Sequence, residues 1–323
     1  MASDTSEELH EEHPRPRREA RELVVGAVDL HVHVAPDVMR RRVTDVELAR
    51  RHLDEGLAGF VLKSHYTSTA ERAASVREAV PGAAVYGAIT LNGSVGGINP
   101  LAVEIAGREG ARIVWMPTVD SANQRASTAR DPEGAKPPMW AQLQADLMAQ
   151  GIACPPIEVL DATGEVLPEV RDVLRIIARY DMVLATGHLS RDEIVAVVRA
   201  ANNEGVRRIV VTHPEFTSQR LSAYDQRELA ERGAYLERCF TTPYTGKVAW
   251  DEMIENIKIA GPEHSFLSSD LGQPFNPPVE DGIALMAEHL HDAGFDDDDI
   301  HVMAVENPRR LVAAEGESAG EGA

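Results

Sequence analysis

The feature of this sequence that most restricts its fold is a series of short apolar runs at a nearly constant spacing. Eight such runs are typical of β-strands covered on both faces, and most begin about 25–32 residues after the previous one, the length of one strand plus one helix. The expected strands are 27–34, 59–64, 84–91, 111–116, 182–186, 208–212, 234–238 and 265–269. Eight successive βα units predict an α/β protein with the (β/α)8 TIM-barrel fold.

Signals for helices lie between the expected strands. The spacing Ser/Thr-x-x-Glu, in which a hydroxyl and a glutamate cap each other's backbone, begins at Thr44, Ser68 and Ser190. Glycines follow the expected helix ends at Gly56, Gly110, Gly205 and Gly233. Helices are therefore expected between the strands, as a barrel requires.

One step is longer than the others, because about 70 residues separate the starts of the fourth and fifth strands. The excess, about residues 118–165, predicts an insertion after strand 4 that is either a lid or substrate wall, or a surface addition without a role. A hairpin is expected at 157–167. A doubly wound open sheet is the alternative fold, but the glycine-rich segment 93–97 does not match its phosphate-binding loop.

Both ends of the chain are expected to lie outside the barrel. Residues 1–22 are predicted to be a disordered polar tail and 314–323 a disordered acidic tail, which leaves 23–313 as the barrel domain. The first tail has no apolar segment of the kind found in signal peptides, and no apolar run reaches the roughly 18 residues of a membrane span. We therefore expect a cytoplasmic protein.

The charge balance restricts the partners. The chain has 52 Asp and Glu against 32 Lys and Arg, a net charge of −20. Nucleic acids and anionic membranes attract clustered positive charge, so neither is expected as a partner. Only Cys154 and Cys239 are present, which excludes a disulfide scaffold and indicates free thiols. A small-molecule substrate is the expected partner, and nothing in the sequence indicates or excludes a homo-oligomer.

The strongest chemical signal is Asp29-Leu-His31-Val-His33 in the first expected strand. Because side chains alternate along a strand, residues 29, 31 and 33 are expected to face the barrel mouth, and residues 28, 30, 32 and 34 the helices. Two imidazoles on one face can share a metal ion such as zinc. The alternative is a pair of core histidines without a metal.

Other residues of metal-binding types stand at the ends of later strands. His188 follows the fifth expected strand, His213 the sixth and Asp270 the eighth. Active sites in barrels of this kind form at the carboxyl ends of the strands. With the two histidines of the first strand, four imidazoles and one carboxylate are expected at one edge of the barrel.

This set resembles the metal signature of the amidohydrolase superfamily, which consists of (β/α)8-barrel hydrolases and includes the phosphotriesterase-like enzymes. The segment Glu306-Asn-Pro-Arg-Arg-Leu311 is also similar to the terminal helix of many members, and the resemblance covers about residues 25–313. It implies a metal-dependent hydrolase in which a metal-activated water cleaves an amide, lactone or other ester bond of a small molecule.

The resemblance also implies roles for individual residues. His31, His33 and Asp270 would hold one metal, and His188 and His213 a second, or one of these two would bind a single metal while the other polarises the substrate. One or two divalent ions are implied, zinc first, with manganese, iron or nickel also compatible. Asp270 would accept a proton from the water and return it to the leaving group, while Lys63 or His213 would stabilise charge on the attacked oxygen.

The fourth strand departs from the resemblance. Binuclear members usually carry a carbamylated lysine or a glutamate there, but this chain has Ile113-Val-Trp-Met-Pro117. Either the site is mononuclear, or a bridging ligand comes from Lys63 or Glu237. Lys63 is a carbamate ligand, an electrophile for a substrate carboxylate or phosphate, or a surface residue. Glu237 is interpreted as a partner that orients a histidine, with an internal salt bridge as the alternative.

Other activities stay open at this point. Asp29-x-His-x-His followed by Lys63-Ser-His65 is also similar to the polymerase-and-histidinol-phosphatase phosphoesterases, whose barrels have seven strands. A phosphoesterase, a non-hydrolytic decarboxylase or lyase, and a non-enzymatic metal-binding barrel are the alternatives to the hydrolase. In the expected insertion, Arg125, Arg130 and Lys136 either contact an anionic substrate or are solvated loop charges.

Overall fold

Eight parallel β-strands follow one another in chain order around one sheet, and each pairs with the next. They are β1 (Val28–Val32), β2 (Gly59–Leu62), β3 (Ala84–Thr90), β4 (Ala111–Trp115), β5 (Val183–Ala185), β6 (Arg208–Val211), β7 (Ala234–Cys239) and β8 (Ser265–Ser268). The end of β8 returns to β1, where the amide of His33 donates to the carbonyl of Leu271 at 2.8 Å and that of Asp270 to the carbonyl of His31 at 2.9 Å. The predicted (β/α)8 TIM-barrel fold is thereby confirmed.

Helices lie before, between and after the strands in this computed structural model, which describes residues 13–130 and 138–313. They are α1 (Arg18–Leu23), α2 (Asp45–Asp54), α3 (Ala70–Ala79), α4 (Pro100–Arg108), α5 (Ala122–Thr128), α6 (Met139–Ala149), α7 (Pro168–Arg179), α8 (Arg191–Asn203), α9 (Ala223–Glu231), α10 (Thr241–Tyr244), α11 (Trp250–Ala260), α12 (Gly282–Asp292), α13 (Asp297–His301) and α14 (Asn307–Val312). None of the described helices is both long and apolar enough to cross a membrane.

The expected capping boxes form in part. Ser190 and Glu193 make the full reciprocal pair at the start of α8, and the Thr44 hydroxyl accepts from the Glu47 amide at the start of α2. The box predicted at Ser68 is wrong, because Thr69 precedes the first residue of α3 and the helix starts one residue later than the pattern requires. Thr69 instead uses its hydroxyl to donate to the Leu62 carbonyl at 2.7 Å, which ties the loop to β2.

The predicted alternation along β1 is wrong in its first half. Val28 and Leu30 pack in the cluster that fills the barrel interior, with Ile113 and Phe266, instead of facing the helices. The cause is a bulge. Phe60 pairs with Asp29 and Leu62 with Val32, so two residues of β1 lie between paired positions that only one residue of β2 separates. This extra residue lets apolar side chains fill the lower barrel while the histidines that follow still face its mouth.

The N-terminal prediction also needs correction. Residues 18–22, assigned to a disordered tail, belong to α1, which is held by ion pairs from Arg15 and Arg21 to the buried carboxylate of Asp281. A polar sequence here is ordered because its arginines meet acceptors on the rest of the domain. Residues 1–12 and the predicted acidic tail 314–323 lie outside the described residues.

The long segment after β4 carries two helices, α5 and α6, before α7 begins. The hairpin expected at 157–167 is present as a single antiparallel bridge between Leu160 and Val166. Arg125 does not face a ligand there, because it donates to the side chain of Gln144 and to the carbonyl of Cys154. Lys136 lies outside the described residues. Cys154 and Cys239 are both free thiols.

Candidate active site

A cavity of about 400 Å³ opens at the carboxyl ends of the strands. The side chains predicted as site residues meet there, because the loops after β1, β2, β5, β6 and β8 all emerge at this edge. The segment after β4 adds part of the wall through α5 and the start of α6. The residues that line this cavity include His33, Arg41, Lys63, His65, Trp140, His188, His213, Phe216, Thr241, Lys247 and Asp270.

Three of the predicted metal ligands converge closely at the inner end of this cavity. Asp270 Oδ1 lies 3.1 Å from His31 Nε2 and 3.2 Å from His33 Nε2. All three ligand atoms lie within 4.8 Å of one another, close enough for one ion to contact them together. Both histidines are buried, so their imidazoles have little access to water.

Asp270 is placed by a strained backbone and held by a hydrogen bond. Its φ angle is +53°, a value that non-glycine residues rarely adopt, and His213 has a φ angle of +25°. Such strain is tolerated where surrounding contacts dictate the conformation, often at functional sites. The hydroxyl of Thr241, in α10, donates to Asp270 Oδ2 at 3.0 Å. Burial raises the pKa of Asp270, but His31 and His33 outweigh it and hold the pKa well below its usual range.

Glu237 fixes the orientation of His31 from behind. Its Oε1 lies 2.9 Å from His31 Nδ1 and accepts from the Ser268 hydroxyl at 3.0 Å, while Oε2 accepts from the His213 amide at 3.2 Å. A carboxylate can only accept from Nδ1–H, so in the neutral imidazole, the form that binds a metal, His31 Nε2 is the free nitrogen and is turned toward Asp270. Although burial raises the pKa of Glu237, His31 lowers it to about 2. The geometry is that of the orienting partner in the sequence interpretation.

Asp29 performs a similar task for the backbone. Its Oδ1 accepts from the amides of His31 and Ser269, both at 3.1 Å, and so joins β1 to the end of β8 beneath the cavity. Burial raises its pKa to about 6. The two strands that carry the convergent ligands are therefore locked to each other.

His188 and His213 line the same cavity but are arranged differently. Their ring centroids are 4.9 Å apart. Neither belongs to the two compact ligand groups among the described residues, which are His31, His33 and Asp270, and His31, Glu237 and Cys239. Nδ1 of His188 is buried without a hydrogen-bond partner in the described chain. Nδ1 of His213 faces the Gln219 amide nitrogen at 3.3 Å, and that nitrogen also donates to the Gly187 carbonyl at 2.8 Å. His188 thus offers an unused ligand atom.

Lys63 projects into the barrel from the end of β2. It is 3% exposed, so the surface alternative is wrong. Its Nζ lies 2.7 Å from His31 Nε2 and 5.0 Å from the centre of the Trp115 ring. Burial is the main cause that lowers the pKa of Lys63. Trp115 is the last residue of β4, the strand in which no lysine or glutamate is present to bridge two metals.

The sequence does not single out Arg41, because it stands in the run Arg40-Arg41-Arg42 and nothing in the run marks which arginine turns inward. Its side chain is only 2% exposed, and its Nε donates to Asp37 Oδ2 at 2.7 Å. Nη2 lies 3.4 Å from His33 Nδ1. The cavity is thereby lined with a fixed guanidinium close to the ligand cluster.

The cluster suits a divalent cation. Its donor set is two imidazoles and one carboxylate, which several first-row divalent metals accept. Burial and Lys63 lower the pKa of His31, yet Asp270 and Glu237 raise it to about 9, so the surroundings favour positive charge at this point. His31, His33 and Asp270 would hold the ion, and the unpartnered Nδ1 of His188 is the next available donor.

Comparisons with known proteins agree with this fold. A model of a family described as of unknown function, DUF6282, matches residues 26–237. Among solved structures, an amidohydrolase from Pseudomonas aeruginosa is 12% identical with a TM-score of 0.57, covering 91% of this chain and 98% of its own. The probable dipeptidase PvdM from the same organism is 13% identical with a TM-score of 0.56, covering 91% and 96%.

A putative 2-pyrone-4,6-dicarboxylic acid hydrolase from Pseudomonas putida is 16% identical with a TM-score of 0.52, covering 89% of this chain and 97% of that one. No curated protein matches this sequence. The resemblance to the amidohydrolase superfamily is confirmed at the level of the fold, which is what identities this low can show.

Proposed function

The chain belongs to the DUF6282 family, a family of unknown function, and we propose that it is a metal-dependent hydrolase that cleaves an amide, lactone or other ester bond of a small molecule. The observation that carries the proposal is the convergence of His31, His33 and Asp270 at the inner end of an open cavity. The named functions of the structurally similar proteins, an amidohydrolase, a probable dipeptidase and a putative hydrolase of a cyclic ester, are in keeping with it.

A divalent cation held by these ligands would lower the pKa of a bound water from about 15.7 to about 7. The residues around it are suited to the remaining steps. Asp270 is a carboxylate at neutral pH, so it can accept one proton of the attacking water. Asp270 then passes this proton to the leaving nitrogen or oxygen as the bond between that atom and the carbonyl carbon breaks. The products are an amine or alcohol and a carboxylic acid.

The cavity supports a substrate that carries a negative charge. Its described lining includes the cationic side chains of Arg41, Lys63 and Lys247, against the single carboxylate of Asp270. Trp140 and Phe216 supply apolar surface in the same cavity. The excess of cationic side chains in the lining would favour a small molecule with a carboxylate or phosphate group.

The direct test combines metal analysis with turnover. Protein purified without chelator is expected to contain a divalent metal, zinc first and manganese, iron or nickel as alternatives, and to hydrolyse p-nitrophenyl acetate. His31→Ala should abolish metal binding. Asp270→Asn keeps a ligand oxygen but loses the proton acceptor, so it should retain metal and lose turnover.

Absence of metal, together with no hydrolysis after addition of zinc or manganese, would contradict the proposal. Release of phosphate from simple phosphoesters, or of carbon dioxide without solvent oxygen entering the product, would replace it with one of the alternatives. A neutral and an anionic ester compared side by side would test the substrate charge, because the anionic one should have the higher kcat/KM.

A further inference from the structure

A hydrogen-bond network joins the ends of β2, β3 and β4 beside the cavity. Asn92, after β3, is fully buried, and its Oδ1 accepts from the amide of Thr118 at 2.9 Å. A backbone N–H can only donate, so this contact identifies which end of the amide is the oxygen. Nδ2 of Asn92 must then be the donor to the Thr118 hydroxyl at 2.8 Å and to the His65 carbonyl at 3.0 Å.

The direction of this network determines the protonation of His65. The Thr118 oxygen lies 2.9 Å from His65 Nδ1 and already accepts from Asn92. Its single hydrogen has no other acceptor among the described residues, and leaving a buried hydroxyl hydrogen unpaired costs about 1–3 kcal/mol. The hydroxyl therefore donates to Nδ1, which must be unprotonated, and the ring proton is on Nε2.

The rest of the His65 ring faces the cavity. Its ring stacks on His33 with centroids 4.9 Å apart, and it is a lining residue of the cavity. Nε2 has no hydrogen-bond partner in the described chain, and His65 is in neither of the compact ligand groups. A ring nitrogen that carries a proton cannot bind a metal, so His65 is a donor without an acceptor, one side chain away from the ligand cluster.

We propose that His65 is a catalytic residue whose Nε2–H donates a hydrogen bond to the carbonyl oxygen of the substrate and to the negative charge that develops on it. The inference rests on the proposed hydrolase function. Thr118 and Asn92 are positioning residues, since they act by holding His65 in one tautomer.

The tautomer can be measured without any activity. Long-range proton–nitrogen spectra of the zinc-loaded, 15N-labelled protein distinguish Nε2–H from Nδ1–H, and the signals of His65 are those that His65→Gln removes. His52 is the internal control with the opposite form, because its Nδ1 lies 3.1 Å from the Gly59 carbonyl and must donate to it. An Nδ1–H form of His65 would overturn the proposal.

The role of Thr118 in fixing the tautomer of His65 is tested by a pair of variants at residue 118. Thr118→Ser keeps the hydroxyl and should preserve the Nε2–H form, whereas Thr118→Val removes it and should yield mixed tautomers. If Thr118→Val leaves the spectrum of His65 unchanged, Thr118 does not hold the tautomer and the argument fails. Because Thr118 is buried, either substitution could disturb the fold, and circular dichroism is used to check that both variants are folded.

The catalytic role is tested on His65 itself. His65→Phe keeps the stacking on His33 but removes the donor, and kcat for p-nitrophenyl acetate should fall about 10²–10³-fold, as for the loss of one oxyanion-hole donor. Zinc content should be unchanged, and His65→Gln, which offers an amide N–H at a similar reach, should recover part of the rate. Loss of zinc, or an unchanged kcat, would overturn the proposal.

An inactive wild-type protein would contradict the proposed hydrolase and still leave this inference open to test. Methylphosphonate presents tetrahedral oxygens like those of an attacked carbonyl, and its addition to the zinc-loaded protein should shift the Hε2 signal of His65 downfield. An Hε2 signal that does not respond, in a protein that binds methylphosphonate, would refute the donor role independently of turnover.

Discussion

Replacement of Glu237 by glutamine tests whether a buried carboxylate controls the metal site without touching the ion. The carboxylate accepts three hydrogen bonds, two on Oε1 from His31 and Ser268 and one on Oε2 from the His213 amide. A glutamine has only one oxygen. The least disruptive orientation keeps it toward His31, and the new NH2 group then faces the amide of His213.

The cost of Glu237→Gln follows from this arrangement. One buried N–H loses its acceptor, which costs about 1–3 kcal/mol of folding stability. The bond to His31 survives but its acceptor is no longer charged, which about halves its strength. Loss of such an orienting partner typically reduces metal affinity about 10–100-fold, which corresponds to about 1.4–2.8 kcal/mol of binding free energy.

Two measurements separate these effects. Competition with a chromogenic chelator gives the zinc affinity, and urea unfolding of the metal-free protein gives the folding stability. Glu280→Gln is the control, because Glu280 is also buried in an ion pair, with Arg51 at 2.8 Å, and does not line the cavity. Wild-type zinc affinity in a folded Glu237→Gln protein would refute the orienting role. A fall in the number of bound ions would instead make Glu237 a ligand.

Three further changes have defined outcomes. Lys63→Met should keep one metal per chain by elemental analysis but lose turnover, because Lys63 Nζ, 2.7 Å from His31 Nε2, lies where it can stabilise charge on the attacked oxygen; loss of the metal would mean that Lys63 is a carbamate ligand. Gly272→Ala should lower the thermal unfolding temperature more than Gly294→Ala, since a Cβ at Gly272 would lie 1.6 Å from the His33 carbonyl oxygen and one at Gly294 meets nothing within 4 Å; equal shifts would refute the steric argument. Burial lowers the pKa of His52 from 6.5 to about 4 in the folded protein. Below pH 6.5 the unfolded chain therefore binds a proton more readily than the folded chain, and folding stability is lost as the pH falls. Between pH 8 and pH 5 the wild type should lose about 2 kcal/mol more than His52→Asn in urea unfolding, and parallel pH profiles would contradict this.

The barrel was predictable because its signals are local. Strand spacing, continuous apolar runs and helix caps each depend on a few neighbouring residues. Seven of the eight strands lie within the segments expected for them, and β7 ends one residue beyond its segment. The errors have causes that the periodicity of a sequence does not reveal. An extra residue in β1 reverses which side chains face inward, and arginine–aspartate contacts order α1 although its sequence reads as a polar tail.

The candidate site also contains residues that the sequence identified and residues that only the folded structure identified. His31, His33 and Asp270 could be named from the sequence, because residue type and position at a strand end are properties of the linear pattern. Arg41 could not, since only the folded loop turns one of three consecutive arginines into the cavity. The tautomer of His65 likewise depends on Asn92 and Thr118, which lie on the loops after two other strands.

The sequence by itself thus determined the barrel, the edge at which its candidate chemistry lies and five candidate metal ligands, of which the folded chain brings His31, His33 and Asp270 close together. Only the tertiary structure decided the direction of the hydrogen bonds among groups from different strands. The physical reason is that a ligand type is carried by one residue, whereas the protonation of an imidazole depends on which atoms of distant segments lie within about 3 Å of each ring nitrogen.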